Sequence, residues 1–427
     1  MFKNLWESSN IEASFQELLM RLIDTKLYLP LIITILFFTL MINYFDRSAI
    51  AYAISQIQQE FQLNNLEFGA LGAAFGFGYL FMTVVGGMLV DKFKAHKVLS
   101  GSAALWSILS ILIGIVTGYW LFYALRVLLG VTEGPCFPAV TRVIADWLPM
   151  TNRVKIMACT LVAVPLASAL GAPLMAYLIN HFSWRGTYII LGFAGLIFAV
   201  LWALFYRDKT ELSTPVQDKT NKSDWKKVLF TPALLANNFA YFSYGYLLFF
   251  ALLWLPGYLE QSYGLKLHQI GWFLTIPWLC AAIFLLAGGF ISDKLFAKTQ
   301  SIRIARSHII WISQLLSALC FIPVILSPHL TTALIFISLG LGFGFMSNSI
   351  FYSLNIDLAK EHAATSLGIM DWFFGLAGII APWLTGYLSK ITHNFNSAIF
   401  MMIVFTLCGV VGIIVFQRES LVKPPYS

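Results

Sequence analysis

The stretch LYLPLIITILFFTLMI, residues 27–42, carries no charged side chain and runs directly into NYFDRSAIAYA, residues 43–53. About 20 mostly apolar residues are needed to cross a bilayer as a helix, because about 30 Å of hydrocarbon is crossed at 1.5 Å per residue. The stretch therefore predicts a transmembrane helix. It also puts two opposite charges, Asp46 and Arg47, at the end of that helix, where ionisable groups are costly.

The composition extends this pattern to the whole chain of 427 residues. Hydrophobic residues make up 59% of the sequence and charged residues 11%, and the mean hydropathy is +0.78. Ordinary soluble domains carry about 25% charged residues. The apolar runs are continuous and lack the alternation of a barrel strand that faces lipid, so helices are the expected spanning form. The predicted fold class is an all-α membrane protein.

Twelve apolar segments meet the length requirement for a transmembrane helix. They cover roughly residues 27–47, 66–90, 97–118, 120–145, 154–179, 186–206, 232–259, 268–291, 305–326, 331–356, 365–390 and 395–416. The longest polar interruption lies between the sixth and seventh segments, and GGMLVDK at 86–92 recurs as GGFISDK at 288–294. Paired halves of this kind are how many membrane transporters are built.

The sequence thus predicts twelve transmembrane helices in two pseudo-symmetric six-helix bundles. The expected boundaries are an N-terminal segment 1–26, a first bundle 27–206, a linker 207–230, a second bundle 231–416 and a tail 417–427. Of the 27 Lys and Arg residues, 22 fall on the side of the termini, three on the opposite side and two inside the membrane. Because cytoplasmic loops carry the excess of Lys and Arg, both termini, the linker and the tail are predicted to be cytoplasmic. We expect a bacterial inner-membrane protein.

Several functional classes lack support in the sequence. The net charge of +7 follows from the membrane topology, so no nucleic-acid partner is needed to explain it. The chain has no Gly-Lys dipeptide, which a phosphate-binding loop of the ATP-driven type requires. Its seven His residues are scattered, and no nucleophile and base stand at a recognisable spacing, so neither a metal site, a cofactor nor an enzyme is expected. The expected contacts are membrane lipid, protons and a small molecule, and the chain is expected to be a monomer.

Four ionisable residues of the first half lie inside predicted helices: Asp46, Arg47, Arg126 and Glu133. Each costs roughly 2.5 to 3.5 kcal/mol near the bilayer centre, so such residues commonly face a cavity and have a function. Arg126 and Glu133 are seven residues apart, which puts them on one helix face about 10 Å apart. Adjacent residues such as Asp46 and Arg47 project in different directions, so each requires a partner on another helix or in a ligand.

Two interpretations of these four charges are open. They form a structural salt-bridge lattice, or they form a functional site whose two acids and two bases are neutral together. In the second case, protonation of one carboxylate leaves a net positive charge that an anionic substrate can fill. Proton binding and anion binding then favour each other.

The chain resembles the major facilitator superfamily over about residues 27–416, and within it the anion:cation symporter group. That group includes sialin, the vesicular glutamate transporters and bacterial carriers of sugar acids and phthalate-like acids. The motifs that carry the resemblance are NYFDRSAIAYA at 43–53, GYLFMTVVGGMLVDKFKAHK at 78–97, RVLLGVTEGPCFPA at 126–139 and GAPLMAYLINHFSWRGTYIILG at 171–192. The resemblance implies proton-coupled symport of a small organic anion by alternating access.

The resemblance also implies roles for individual residues. Asp46 and Glu133 look like proton-coupling carboxylates, and Arg47 and Arg126 look like binders of a substrate carboxylate. Tyr44 and Tyr79 look like hydrogen-bond donors that line the pocket. Four residues resemble the loop that latches the two halves together: Asp91, Lys92 and their counterparts in the repeat, Asp293 and Lys294.

The second half is expected to determine substrate identity, through Tyr241, Asn348, Asp371 and Trp372. Members of the group often carry asparagines for substrate hydroxyls in the eleventh helix, where this chain has Asp371 and Gly375. That departure argues against a sugar acid and favours a small, fairly apolar organic acid. The alternative substrates are a zwitterionic amino acid, with its ammonium group at Asp371, and a nucleoside. The alternative mechanism is an uncoupled facilitator or exchanger, and the alternative class of protein is a membrane receptor or enzyme that moves no substrate across the membrane.

Overall fold

The computed structural model describes residue 25 and residues 27–147, 160–208, 230–359 and 363–417. Within those ranges every regular element is helical, which confirms the predicted all-α class. In chain order the helices are Tyr28–Tyr52, Ile54–Phe61, Asn65–Gly114, Tyr119–Glu133, Cys136–Trp147, Ala163–Phe205, Pro232–Leu253, Leu255–Tyr263, Leu267–Thr299, a π-helical turn at Arg303–Ser307, His308–Leu326, Leu330–Met346, Asn348–Ala359, Ala363–Thr392 and Asn396–Phe416.

These helices make twelve membrane crossings. Nine helical stretches of the described chain are long and apolar enough to cross a bilayer, and the bent pair Pro232–Leu253 and Leu255–Tyr263 is a tenth. One of the nine, Ala163–Phe205, has 43 residues and breaks at Ser183, so it crosses twice. The pair Tyr119–Glu133 and Cys136–Trp147 supplies the twelfth. We number these crossings span 1 to span 12 in chain order.

The first span is longer than predicted. The expected helix ended at Arg47, whereas the observed helix runs to Tyr52. Residues 48–52 are Ser, Ala, Ile, Ala and Tyr, which include no proline or glycine to end the helix. Asp46 and Arg47 therefore lie inside the helix and not at its end. The predicted segments 1–26, 207–230 and 417–427 lie mostly outside the described residues, so their boundaries stay predictions.

Two of the connections between spans are made at a single residue. Lys94, with φ at 70°, separates span 2 from span 3, and Ser183, with φ at 61°, separates span 5 from span 6. Residues other than glycine seldom adopt positive φ, so each of these positions carries backbone strain. Span 2 begins with a capping box, in which Asn64 and Glu67 satisfy each other's backbone N–H groups. The ends of these helices are thus set by the conformations and hydrogen bonds of the residues at the connections.

The bundle has two faces, which we name by the chain ends. The Tyr28 hydroxyl, at the start of span 1, donates to the Phe205 carbonyl, at the end of span 6, at 3.0 Å. The Gln417 amide, just after span 12, donates to the Ala233 carbonyl, at the start of span 7, at 3.3 Å. We call this side the termini face and the opposite side the distal face.

A surface ion pair ties span 6 to the connection after span 1 at the distal face. Arg185 lies 2.5 Å from Glu60, and the Trp184 indole donates to the same carboxylate at 2.8 Å. Burial alone would raise the pKa of Glu60, but the hydrogen bonds from Arg185 and Trp184 outweigh it and lower that pKa below its usual value. Glu60 is therefore an anion at neutral pH.

Spans 1–6 pack on one another, as do spans 7–12, and the two halves meet where span 2 packs on span 11 and span 5 on span 8. We call the contact between spans 2 and 11 the seam. Small residues let the backbones approach closely there. A Cβ atom on Gly76 would lie 2.5 Å from the Gly378 carbonyl oxygen, and one on Gly69 would lie 2.6 Å from that of Pro382.

The seam is closed toward the distal face and open toward the termini face. Leu80 contacts Gly375 near the middle of the seam. Gly87 lies three turns beyond Gly76 on the same helix face, and Gly368 lies two turns before Gly375. A Cβ atom on Gly87 or on Gly368 would meet no atom of the described residues within 4 Å. Spans 2 and 11 therefore diverge toward the termini face.

Candidate functional site

Span 1 directs its two adjacent charges to different neighbours. The Arg47 Nε donates to Glu133 Oε2 on span 4 at 2.6 Å. The Asp46 carboxylate accepts a short hydrogen bond from the Ser110 hydroxyl on span 3. Asp46, Arg47 and Glu133 are 2%, 7% and 0% exposed, so these are interior contacts. The expectation that each charge finds its partner on another helix is met.

Three aromatic rings surround the Arg47 guanidinium. Its central carbon lies 5.0 Å from the ring centroid of Tyr44, 5.0 Å from that of Phe75 and 4.7 Å from that of Tyr79. The faces of such rings attract cations, most strongly where water is excluded. The rings therefore stabilise the buried charge, while Arg47 Nη2 makes no hydrogen bond to the residues that the structure describes.

Arg126 approaches the same place from span 4. Its Nε donates to the Leu71 carbonyl at 3.2 Å, and its guanidinium lies 5.2 Å from the centroid of the Phe75 ring. Its Nη1 makes no hydrogen bond within the described ranges of the chain. Phe75 thus has both guanidinium groups close to its ring, and each guanidinium keeps one buried nitrogen without a partner among the described residues. Two such donors are what a carboxylate or sulfonate needs.

Sequence reasoning missed three residues of this cluster: Phe75, Ser110 and Tyr188. Tyr188 is fully buried on span 6 and interacts electrostatically with Arg126, Asp46 and Glu133, and its hydroxyl makes no hydrogen bond in the part of the chain that the structure describes. A lone serine, tyrosine or phenylalanine in an apolar run is usually a packing residue, so nothing in the sequence sets these three apart. They belong to the site because the packing of the helices brings them next to the charged residues.

The second half contributes a chain of hydroxyl groups that ends at a carboxylate. The hydroxyls of Tyr241 and Tyr352 lie 2.9 Å apart, and Tyr352 donates to Asp371 Oδ1 at 3.3 Å. The Tyr241 ring stacks on those of Tyr244 and Phe374, at centroid distances of 5.7 and 5.3 Å. Spans 7, 10 and 11 thus form one polar and aromatic surface.

The surfaces of the two halves face each other. Tyr79 contacts Arg47 and interacts electrostatically with Asp371, and Tyr44 interacts with Tyr244. We call Tyr44, Arg47, Tyr79 and Glu133 the first-half wall, and Tyr241, Tyr352 and Asp371 the second-half wall. Asp371 is partly exposed, whereas both tyrosines of the first-half wall are buried.

The remaining predicted residues lie as follows. Asn348 is 9% exposed and lies one turn before Tyr352 on the same helix face, which puts it at the edge of the second-half wall. The structure does not bring Trp372 into this cluster, since its side chain is 41% exposed and its ring packs edge-on against Phe373. A role of Asn348 or Trp372 in substrate binding stays a prediction.

The predicted latch lies at the termini face. Asp293 Oδ1 is 3.0 Å from the Arg306 guanidinium, which also reaches Asp357 at 3.8 Å, so this network lies within the second half. The Lys92 ammonium lies 5.2 Å from the Phe93 ring, Lys294 is exposed, and the side chain of Asp91 is outside what the structure describes. A latch between the halves stays a prediction.

The geometry so described is a buried cluster of two acids and two arginines in one six-helix bundle, which faces a polar and aromatic surface of the other. The chain matches the family model of the Major Facilitator Superfamily over residues 36–350 and 239–426. It belongs to this superfamily and is a multi-pass membrane transporter.

Individual relatives share most of its length. The chain is 29% identical over 403 residues to the hexuronate transporter of Bacillus subtilis, covering 92% of this chain and 96% of that protein. It is 29% identical over 371 residues to the probable sulfoacetate transporter of Cupriavidus necator, covering 83% and 86%. A bacterial homolog of the human lysosomal transporter Spinster, solved in an inward-facing and unoccupied conformation, has the same fold, with a TM-score of 0.79 and 15% identity over 94% of this chain and 100% of that chain.

Proposed function

We propose that this protein is a proton-driven symporter that carries a small organic anion by alternating access. The observation that carries the proposal is the buried set of two acids and two arginines in the first half, centred on the Arg47–Glu133 contact of 2.6 Å. The names of the relatives, which refer to hexuronate and sulfoacetate, support an organic acid as the substrate class.

Coupling follows from competition for Arg47. While Glu133 is ionised, its carboxylate occupies the Arg47 Nε group that a substrate carboxylate would use. A proton on Glu133 removes that negative charge and leaves the guanidinium free to bind the anion. By linkage, a bound anion favours the protonated form of Glu133 by the same free energy. Proton and anion therefore move together.

Asp46 is the second proton site in this proposal. Ser110 donates to one carboxylate oxygen, Oδ2, whereas the other, Oδ1, is buried without a hydrogen bond from the described residues. An ionised carboxylate with an unsatisfied buried oxygen pays a desolvation penalty that its protonated form avoids. A proton on Asp46 also removes a negative charge that interacts with Arg126, and this favours an anion there.

The seam supports alternating access. Its tight part, from Gly69 to Leu80, closes the site toward the distal face, while its open part exposes Asp371 to the termini face. A rocking motion that separates the first part and closes the second would expose the same site to the other side. The excess of Lys and Arg at the termini face supports a cytoplasmic assignment of that face, in a bacterial inner membrane.

The test is uptake into proteoliposomes under an imposed pH gradient, with glucuronate, sulfoacetate and a series of monocarboxylates as labelled probes. We expect wild-type protein to concentrate at least one probe only when a gradient is present. Glu133→Gln and Asp46→Asn should abolish this accumulation but retain exchange of internal for external substrate, because exchange needs no net proton movement.

Glu260→Gln is the matched control, since Glu260 lies at the distal face outside the site. It should accumulate the probe as the wild type does. Normal accumulation by both Glu133→Gln and Asp46→Asn would overturn the coupling assignment. Uptake that ignores the gradient would favour an uncoupled facilitator or exchanger.

A further inference from the structure

The second-half wall holds a carboxylate that has no cationic partner in the described part of the chain. Asp371 accepts a hydrogen bond from Tyr352 at 3.3 Å, and the described structure shows no Lys or Arg within ion-pair distance of it. By contrast, Glu133 is held by Arg47 at 2.6 Å. A partly buried carboxylate facing a binding cavity without a counter-charge is most stable when a ligand supplies one.

The charge balance of the cavity points the same way. The two acids and two arginines of the first half are neutral together, so Asp371 gives the whole cavity a net charge of −1 when all five groups are ionised. A monoanionic substrate that enters with one proton would leave the net charge at −1. A substrate that carries an ammonium group as well as a carboxylate would place the positive end at Asp371 and the negative end at the arginines, and would add no net charge.

The surroundings of Asp371 suit a cation. Tyr352 and Tyr241 extend from the carboxylate as a chain of hydroxyls, and the Tyr241 ring stacks with Tyr244 and Phe374. Aromatic faces and a carboxylate together are a favourable environment for a desolvated ammonium group. Tyr79 contacts the Arg47 guanidinium at 4.7 Å and also interacts electrostatically with Asp371, so both charged groups lie near the same tyrosine.

We infer that Asp371 determines substrate specificity by binding the ammonium group of a zwitterion, whose carboxylate or sulfonate is held by Arg47 and Arg126. The inference rests on the proposed function, because it uses the same anion site. The substrate class it names is small amino acids with the two charges a few bonds apart.

The test is ligand-induced thermal stabilisation of the purified protein, which reports binding by mass action. The probes are three matched series: glycine, acetate and malonate; β-alanine, propionate and succinate; 4-aminobutyrate, butyrate and glutarate. Within a series only the second end group changes, from ammonium to hydrogen to carboxylate. D-glucuronate is added as a polyhydroxy acid.

We expect at least one amino acid to bind wild-type protein about tenfold or more tightly than both of its matched acids, the size of effect given by a hydrogen bond between charged groups. Asp371→Asn should lose that preference while retaining affinity for the simple acid. Glu260→Gln, a matched acid-to-amide control at the distal face, should keep the wild-type preference.

Two outcomes would overturn the inference. In the first, the wild type binds simple acids, dicarboxylates or glucuronate at least as well as the amino acids, which leaves the proposed anion transport intact. In the second, Asp371→Asn keeps the preference for the amino acid. If no acid and no amino acid binds at all, both the inference and the proposed function fail, so the two failures are distinguishable.

Discussion

The two walls of the central cavity differ in how they balance charge. On the first-half wall Arg47 has Glu133 at 2.6 Å and three aromatic rings within 5.0 Å. On the second-half wall Asp371 has one hydroxyl at 3.3 Å. One wall is neutral by itself, while the other leaves a charge to be matched from outside.

This difference indicates which wall couples protons and which wall selects the substrate in the proposed transport cycle. A wall that is neutral by itself changes its charge when a proton arrives, so it is suited to couple protons to an anion. A wall with an unmatched carboxylate does not need a proton to attract a cation, so it is suited to choose among substrates. The repeated architecture of the two halves therefore holds two different chemistries.

The largest expected effect comes from breaking the first-half wall. Arg47→Gln leaves Glu133 buried without its partner, which typically costs about 3 to 5 kcal/mol. We expect a loss of transport and a large loss of stability, measured by uptake and by thermal unfolding in detergent. Arg185→Gln, which breaks the surface pair with Glu60 at 28% and 41% side-chain exposure, should cost about 0 to 1 kcal/mol.

A double variant sharpens this prediction. Arg47→Gln combined with Glu133→Gln removes both charges, so Glu133 no longer leaves an unpaired carboxylate in the interior, and much of the stability should return. Transport should not return, because the anion site is lost. If Arg47→Gln were as stable as Arg185→Gln, the Arg47–Glu133 ion pair at 2.6 Å would contribute little to the stability of the protein.

An intermediate effect is expected at the seam, where the two walls are brought together. Gly76→Ala places a methyl group 2.5 Å from the Gly378 carbonyl oxygen, and such overpacking costs about 1 to 3 kcal/mol in the closed arrangement. Gly87→Ala meets nothing within 4 Å and is the matched control. Gly76→Ala should therefore shift the population toward a state that is open at the distal face.

The measurement is the distance between spin labels at Gln59 and Lys266, two exposed distal-face positions in opposite halves, with the five native cysteines replaced. Gly76→Ala should lengthen this distance and slow uptake, and Gly87→Ala should do neither. Equal distances in both variants would mean that the seam does not control the distal opening.

The smallest effect is expected on the second-half wall. Tyr352→Phe removes the hydroxyl that lies between Tyr241 and Asp371, and one hydrogen bond of this kind contributes about 0.5 to 1.5 kcal/mol. We expect substrate affinity to fall about two- to tenfold with proton-driven accumulation unchanged. Tyr387→Phe, on the same half and 40% exposed, is the control. Loss of the proton dependence in Tyr352→Phe would contradict the assignment of coupling to the first half alone.

Much of the fold was predictable because each crossing is a local property of about 20 residues. The twelve apolar runs, the repeat at 86–92 and 288–294, and the polar interruption between the halves together give two six-helix bundles. The helix ends were less predictable, as span 1 shows by running on to Tyr52. The residues around Asp46 and Arg47 contain no signal that ends a helix, and the two charges are accommodated because other helices bury them.

The sequence by itself determined that this chain is helical and crosses the membrane, and it singled out Asp46, Arg47, Arg126, Glu133 and Asp371, because ionisable groups in apolar runs are costly wherever they end up. Only the tertiary structure decided which of them are paired. Ser110, Phe75 and Tyr188 enter the site through contacts between spans far apart in the chain. The lack of a cationic partner for Asp371 among the described residues is likewise visible only once the neighbouring helices are placed. Pairing depends on distances between helices, which no local pattern of residues encodes.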